Sequence, residues 1–165
     1  MDIRKVTPED DFDAIGDIYA ESWRTAYRGM VQQDYLDALT GAHWAEALRK
    51  NGRDAFVSVQ DGKYIGTASV TPARDAGMDG WGELISIYLL PEYFGCGVAA
   101  PLLDYALGAL RETGFADVYL WVLEGNLRAR GFYEKHGFAL TGDTERLEIA
   151  GDFLTAVRYI RHLED

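Results

Sequence analysis

The sequence predicts a mixed α/β (α+β) fold, a single domain spanning residues 1–165 with helices packed on one sheet. Three observations carry this. Strand-like and helix-like apolar patterns alternate in the order β-α-α-β-β-β-α-β-α-β-β. Ala55 to Gln60 and Tyr64 to Val70 flank Asp61-Gly62, a dipeptide that closes tight antiparallel hairpins. Glu83 to Leu90 (ELISIYLL) is apolar at both alternating positions, as expected of a strand covered on both faces.

Taken in order, Ile3 to Val6 is a short first strand. Thr7-Pro8-Glu9-Asp10 has the signals of a helix start: a hydroxyl N-cap, proline at the first helical position and acids in the first turn. Ile15, Ile18, Tyr19, Ser22, Trp23, Ala26 and Tyr27 continue at helical spacing. A second helical pattern covers Gln32 to Lys50, with a break at Thr40-Gly41. Asp75 to Gly80 is a loop. A helix over Val98 to Glu112 follows the central strand. Then come a strand over Asp117 to Leu123, a helix over Asn126 to His136, and closing strands near Phe138 to Leu147 and Phe153 to Arg161.

Composition narrows the function. With 48% hydrophobic residues the chain can bury a core. No apolar run reaches the roughly 18 residues of a membrane span, and MDIRKVTPEDDF lacks the apolar centre of a secretion signal. A cytoplasmic protein is the expectation. The net charge of −11 argues against nucleic-acid phosphates as partners. The single Cys96 excludes an internal disulfide, and the scattered His43, His136 and His162 suggest no metal site. A homodimer is left open.

The stretch PEYFGCGVAAPLL (Pro91 to Leu103) lies where the central strand becomes a helix. A helix N-terminus has free N–H groups and a partial positive charge, so it attracts anions. Gly95 and Gly97 let the backbone curl, and Ala99 and Ala100 keep the helix start open. A diphosphate suits such a cradle. The stretch is not a P-loop, because no lysine follows the glycines, and it lacks the GxGxxG pattern of dinucleotide sites. A plain glycine-rich connection is the ordinary alternative.

A second motif follows the strand YLWVL: EGNLRARGFYEKHGF, Glu124 to Phe138. With both motifs in this order, the chain resembles the GNAT superfamily of acyl-CoA-dependent N-acyltransferases. That family's pyrophosphate signature, Gln/Arg-x-x-Gly-x-Gly/Ala, is matched at Phe94-Gly95-Cys96-Gly97-Val98-Ala99. Phe94 stands where the family has a donor, so the backbone from Gly95 to Ala100 must do the holding. The later signature is complete at Asn126, Ala129, Phe132, Tyr133, Gly137 and Phe138. ESWRTAYRGM resembles the acceptor-side helices of bacterial members. The resemblance implies a mostly antiparallel sheet of about seven strands, helices on both faces and a splayed central pair.

The resemblance also implies site residues. Acetyl-CoA is the co-substrate, held by Gly95, Cys96, Gly97, Val98, Ala99 and Ala100. Backbone groups of Ile87, Tyr88 and Leu89 and the Asn126 amide hold the pantetheine arm. Glu83 is the candidate base. A carboxylate beside an apolar run needs a task or a partner, and simple alternation puts Glu83 on one face with Ile85, Ile87 and Leu89. Pairing with a basic residue is the alternative. Where other members carry a glutamate on the next strand, this chain has Trp121, and Glu124 ranks second. Tyr133 is the candidate acid for the departing thiolate, with core packing as its alternative. Trp23, Tyr27 and Trp121 could enclose an amine by cation–π contact, or be core. Cys96 is either small filler or a thiol favoured as thiolate at a helix start. The function implied is acetyl transfer from acetyl-CoA to a primary amine of a small molecule or peptide. The alternative is a CoA-binding sensor or regulatory module without turnover.

Overall fold

The computed structural model describes residues 1–50 and 54–163. The strands are β1 (Asp2–Lys5), β2 (Asp54–Gln60), β3 (Lys63–Pro72), β4 (Gly82–Leu89), β5 (Asp117–Leu123), β6 (Ala139–Ile149) and β7 (Asp152–His162). The helices are α1 (Phe12–Ala26), α2 (Gln33–Ala38), α3 (Ala42–Lys50), α4 (Ala99–Thr113) and α5 (Leu127–Lys135). A short 3-10 turn, Pro91–Tyr93, precedes the glycine loop.

The seven strands form one sheet in the order β1-β2-β3-β4-β5-β7-β6. Every neighbouring pair is antiparallel except β4 and β5. That parallel pair is joined only at Gly82–Val118 and Glu83–Tyr119. Beyond Glu83 the two strands part, which opens the middle of the sheet.

The first helix begins later than Thr7. Asp10 is buried at 8% exposure. Its carboxylate accepts from both terminal nitrogens of Arg4 at 2.8 and 2.6 Å, from the Tyr64 hydroxyl at 2.7 Å and from the Thr7 backbone at 2.7 Å. Thr7–Asp10 is therefore a turn anchored to β1 and β3, and Asp11 caps α1 by accepting from Ala14 N at 3.0 Å. The break at Thr40-Gly41 has a packing cause. A Cβ at Gly16 would lie 2.3 Å from the Gly41 carbonyl oxygen, so α1 and the start of α3 meet backbone to backbone.

A bulge in β4 changes which residues face which side. Ser69 opposes Ser86 while Val70 opposes Leu84, so Ile85 has no partner on β3. One extra residue inverts the alternation after it. Leu84 and Leu89 enter the core with Leu102, Leu103 and Leu107 of α4. Ser86 and Tyr88 turn to α1, where Ser86 Oγ lies 3.3 Å from the Tyr19 hydroxyl and the Tyr88 hydroxyl 3.3 Å from that of Tyr27. Glu83 shares this second face, not the face of Leu89 that unbroken alternation predicts.

Candidate active site

Where β4 and β5 part, a cavity of about 580 Å³ opens. Ile85 to Leu89 form one wall and Trp121 to Leu123 the other. One end is closed by Gly95, Gly97, Val98, Ala99, Ala100 and Asn126. The other is closed by Ser22, Trp23, Ala26 and Tyr27 of α1 with Leu147 and Ile149 of β6.

The glycine end is built to receive an anion. Gly95 and Gly97 hold φ of 74° and 80°, the left-handed region that suits glycine. A Cβ on either would meet nothing within 4 Å, so the approach is open. The N-cap of α4, Val98, makes no side-chain cap bond, and no acid occupies the first turn. The first amides of α4 therefore face the cavity uncapped. Cys96 departs from the expectation. It is exposed and does not line the cavity, its N–H donates to the Tyr93 carbonyl at 3.2 Å, and its thiol lies 3.7 Å from the Glu92 and Phe94 carbonyls.

Sequence reasoning did not commit to Arg128, and the structure brings it here. Its guanidinium lies 3.8 Å from the centre of the Phe94 ring, and it lines the cavity. Among the described residues no carboxylate pairs with it. Burial pushes it down from its ordinary value, but an arginine remains a cation. The signal was its place in the first turn after Asn126. Asn126 caps α5, its side-chain oxygen accepting from Ala129 N at 3.3 Å, which leaves its amide nitrogen as a donor.

Tyr133 is 8% exposed and lines the cavity. It packs edge-on against Phe132 and Phe138 at 5.6 and 5.7 Å. Its hydroxyl has no hydrogen-bond partner among the described residues. Burial, and after it the neighbouring Tyr88, pushes that phenol above its ordinary value. Burial likewise pushes Tyr27 up to about 12 and Tyr88 well above its usual range. All three therefore stay protonated donors at neutral pH.

Glu83 does not line this cavity. At 2% exposure, its carboxylate accepts from Arg74 Nε at 3.1 Å and Nη2 at 2.6 Å, from the Arg74 backbone at 3.2 Å and from the Tyr119 hydroxyl at 2.8 Å. Burial pushes the carboxyl up, but these hydrogen bonds and the Arg74 charge outweigh it and hold it below the ordinary value. The geometry is that of the ion-paired alternative. Glu124 also stays outside the cavity lining.

The aromatic residues converge at the far end. Trp23 and Tyr27 meet edge-on at 4.8 Å. Trp121 stands opposite, its Nε1 donating to Asp75 at 2.7 Å and its ring under Arg158 at 4.5 Å. Behind Trp121 lies a second, polar cavity lined by Arg74, Asp75, Asp143, Glu145 and Arg158.

The splayed parallel pair beside an uncapped glycine loop is the arrangement that the resemblance implies, and comparison with known proteins agrees with it. A sequence profile of the Acetyltransferase (GNAT) family matches residues 12–138. The uncharacterized N-acetyltransferase YuaI of Bacillus subtilis is 31% identical over 119 residues, covering 71% of this chain and 69% of that one. An uncharacterized N-acetyltransferase of Mycobacterium tuberculosis is 36% identical over 109 residues, 66% of this chain and 67% of the other. A spermidine N(1)-acetyltransferase of Thermoplasma acidophilum is 24% identical, covering 96% and 98%. Among solved structures, the PaiA N-acetyltransferase of Thermoplasma acidophilum in complex with coenzyme A superposes with a TM-score of 0.75 at 21% identity, covering 98% of both chains. The acetyltransferase yncA of Salmonella typhimurium with acetyl-CoA gives 0.72 at 22% identity, covering 100% and 95%. The chain belongs to the acetyltransferase (GNAT) family. It is an enzyme of the acyl-CoA-dependent N-acetyltransferase class.

Proposed function

We propose that this chain transfers the acetyl group of acetyl-CoA to a primary amine by direct attack of the amine on the thioester. The observation that carries this is the Tyr133 hydroxyl, which has no hydrogen-bond partner among the described residues and lines the same cavity as the glycine loop and the Trp23–Tyr27 pair. A sensor that never turned over would have no use for a proton donor at that point. Relatives named as N-acetyltransferases, and fold neighbours solved with coenzyme A or acetyl-CoA, support the reading.

The residues present fit the co-substrate. Amides of Gly97 to Ala100 and the Arg128 cation face the space for a diphosphate, the Asn126 amide and the parted edge of β4 at Ile87 to Leu89 face the space for an extended arm, and Tyr133 follows. When bound, acetyl-CoA supplies a thioester whose carbonyl is attacked and whose sulfur leaves. Tyr133 donates its proton toward that sulfur. Backbone N–H groups of β4 steady the carbonyl oxygen as negative charge develops on it.

The amine must reach the carbonyl uncharged. For a lysine-like amine at pH 7, deprotonation costs about 4–5 kcal/mol. Glu83 is placed for this only at second hand. Its low proton affinity and its bonds to Arg74 and Tyr119 make it a poor match to an amine proton. We assign it to holding Tyr119 and the Arg74–Asp75 segment against Trp121, with the proton leaving through water.

The test is release of free CoA thiol from acetyl-CoA with a mixed amine panel, beside a thermal-shift measurement. Acetyl-CoA at about 100 times its dissociation constant should stabilise the fold by roughly 2.7 kcal/mol. Gly97→Glu should abolish that shift. Binding with no thiol release for any amine would leave the sensor reading, and no binding at millimolar acetyl-CoA would remove both.

A further inference from the structure

The aromatic end of the cavity restricts what amine can enter. Its walls are Trp23 and Tyr27 from α1, Tyr88 from β4, Trp121 from β5, and Leu147 and Ile149 from β6. Among the described residues lining the cavity there is no aspartate or glutamate. Apart from its tyrosines, the titratable side chains that do line it are Arg128, Lys135 and His136, all basic.

Glu83, Asp75 and Asp143 are already ion-paired. Glu83 is bound by Arg74 at 2.6 Å. Asp75 is bound by Arg158 at 3.2 Å and receives the Trp121 indole N–H at 2.7 Å. Asp143 takes the other arm of Arg158 at 3.1 Å. Asp75, Asp143 and the exposed Glu145 line the second cavity, which shares Trp121 with the first. Arg158 also lies over the rings of Tyr119 and Trp121 at 5.3 and 4.5 Å, so the outer face of Trp121 already carries a cation.

A polycation entering this end would bring two or more ammonium groups into an enclosure with no counter-charge. Each additional one would lose its water and gain only ring faces and neutral hydroxyls. A single amine on an apolar body meets the opposite situation. Its body replaces water against two indoles, two phenols and two aliphatic side chains, and its one nitrogen loses its charge before it reacts.

We infer that the acceptor, for the transfer reaction proposed above, is a monoamine borne on an apolar or aromatic body, and that polyamines and polyamino sugars are excluded. The Tyr27, Tyr88 and Trp121 rings enclose that body, and its amine points toward Tyr133.

The experiment compares 2-phenylethylamine with spermidine at pH 8, by free-thiol release at saturating acetyl-CoA. The expected result is a kcat/KM for 2-phenylethylamine at least about 100-fold above that for spermidine. Leu147→Glu, which sets a carboxylate at the same end, should narrow the ratio by raising the spermidine rate. Equal or better use of spermidine by the unmodified enzyme overturns the inference. So does acetylation of neither amine while another amine of the panel still releases thiol, an outcome that keeps the transfer reading and so separates the two failures.

Discussion

The Arg128 guanidinium stacks 3.8 Å from the centre of the Phe94 ring, and among the described residues no carboxylate pairs with it. Phe94 occupies the position where the family signature carries a donor. The Phe94 ring is a platform for the Arg128 cation, and both line the cavity beside the open loop.

Removing that cation should therefore weaken cofactor binding without touching the chemistry. Arg128→Ala should raise the acetyl-CoA dissociation constant by about 10-fold or more, the scale of one charge-assisted hydrogen bond. The turnover number at saturation should hold. Calorimetric titration at two salt concentrations checks this, since the lost contribution must shrink as salt rises. An unchanged dissociation constant at low salt would reduce Arg128 to a surface stack.

Tyr133→Phe keeps the ring packed against Phe132 and Phe138 and deletes only the hydroxyl. Turnover should fall by roughly 10²-fold, the low end for a positioned proton donor, with acetyl-CoA affinity nearly unchanged. Pre-steady-state acetyl transfer is the measurement. A wild-type rate for the chemical step would make Tyr133 a packing residue.

For Glu83→Gln the structure predicts a stability effect and a pH profile parallel to wild type. The change leaves Arg74 without its charge partner. A wholly buried pair broken this way costs roughly 3–5 kcal/mol, and because Arg74 is half exposed we expect about 2. Turnover against pH from about 6 to 10 discriminates the roles. A deficit confined to low pH and recovered near the amine pKa would return Glu83 to the base role.

Acid should unfold the protein through two carboxylates. The hydrogen bonds from Arg4 hold the Asp10 carboxyl well below its usual range against burial. Burial pushes Glu83 up, yet the bonds from Arg74 and Tyr119 leave it depressed. A depressed carboxyl binds fewer protons folded than unfolded. Its stabilisation is therefore present above the unfolded values of 3.8 and 4.5 and is lost as pH falls below them. Melting temperature should be flat from pH 7 to 5 and fall below about pH 4.5. Asp10→Asn should lower it at pH 7 and flatten the acid limb. An acid limb as steep as wild type in that variant would clear Asp10.

Much of the fold was legible because its signals are local. Asp117–Leu123 and the Asp61-Gly62 hairpin, with φ of 51° and 77° in its turn, need only alternation and turn chemistry to be read. The same holds for the glycine cradle, where Gly95 and Gly97 stand seven and five residues before the α4 core begins at Leu102 and mark an open loop. Asn126 and Tyr133 lie on one short helix, so their joint presence at the cavity follows from helical spacing.

The β4 bulge was not legible, for a definite reason. Glu83 to Leu90 is apolar on both faces, so a one-residue slip leaves no contrast between an inner and an outer set. Only the register against β3 shows that Ile85 is extra, and that slip moves Glu83 to the Tyr119 face. The helix start at Thr7 was misleading because Asp10 is taken by Arg4 and Tyr64, from strands on either side.

Sequence alone determined that a strand, an open glycine turn and a helix follow one another, and that an asparagine-capped helix carrying Tyr133 comes after. Those are short-range facts, set by turn chemistry, caps and periodicity. Only the tertiary structure decided which charges are spent. Arg74 reaches Glu83 across the β3–β4 loop, Arg158 reaches Asp75 from a strand late in the chain, and Arg128 finds Phe94 instead of an acid. Ion pairing depends on where side chains of distant segments meet, and no local pattern encodes that. Among the described residues it leaves the cavity lining without a carboxylate, while Arg128 beside the glycine loop has no acidic partner.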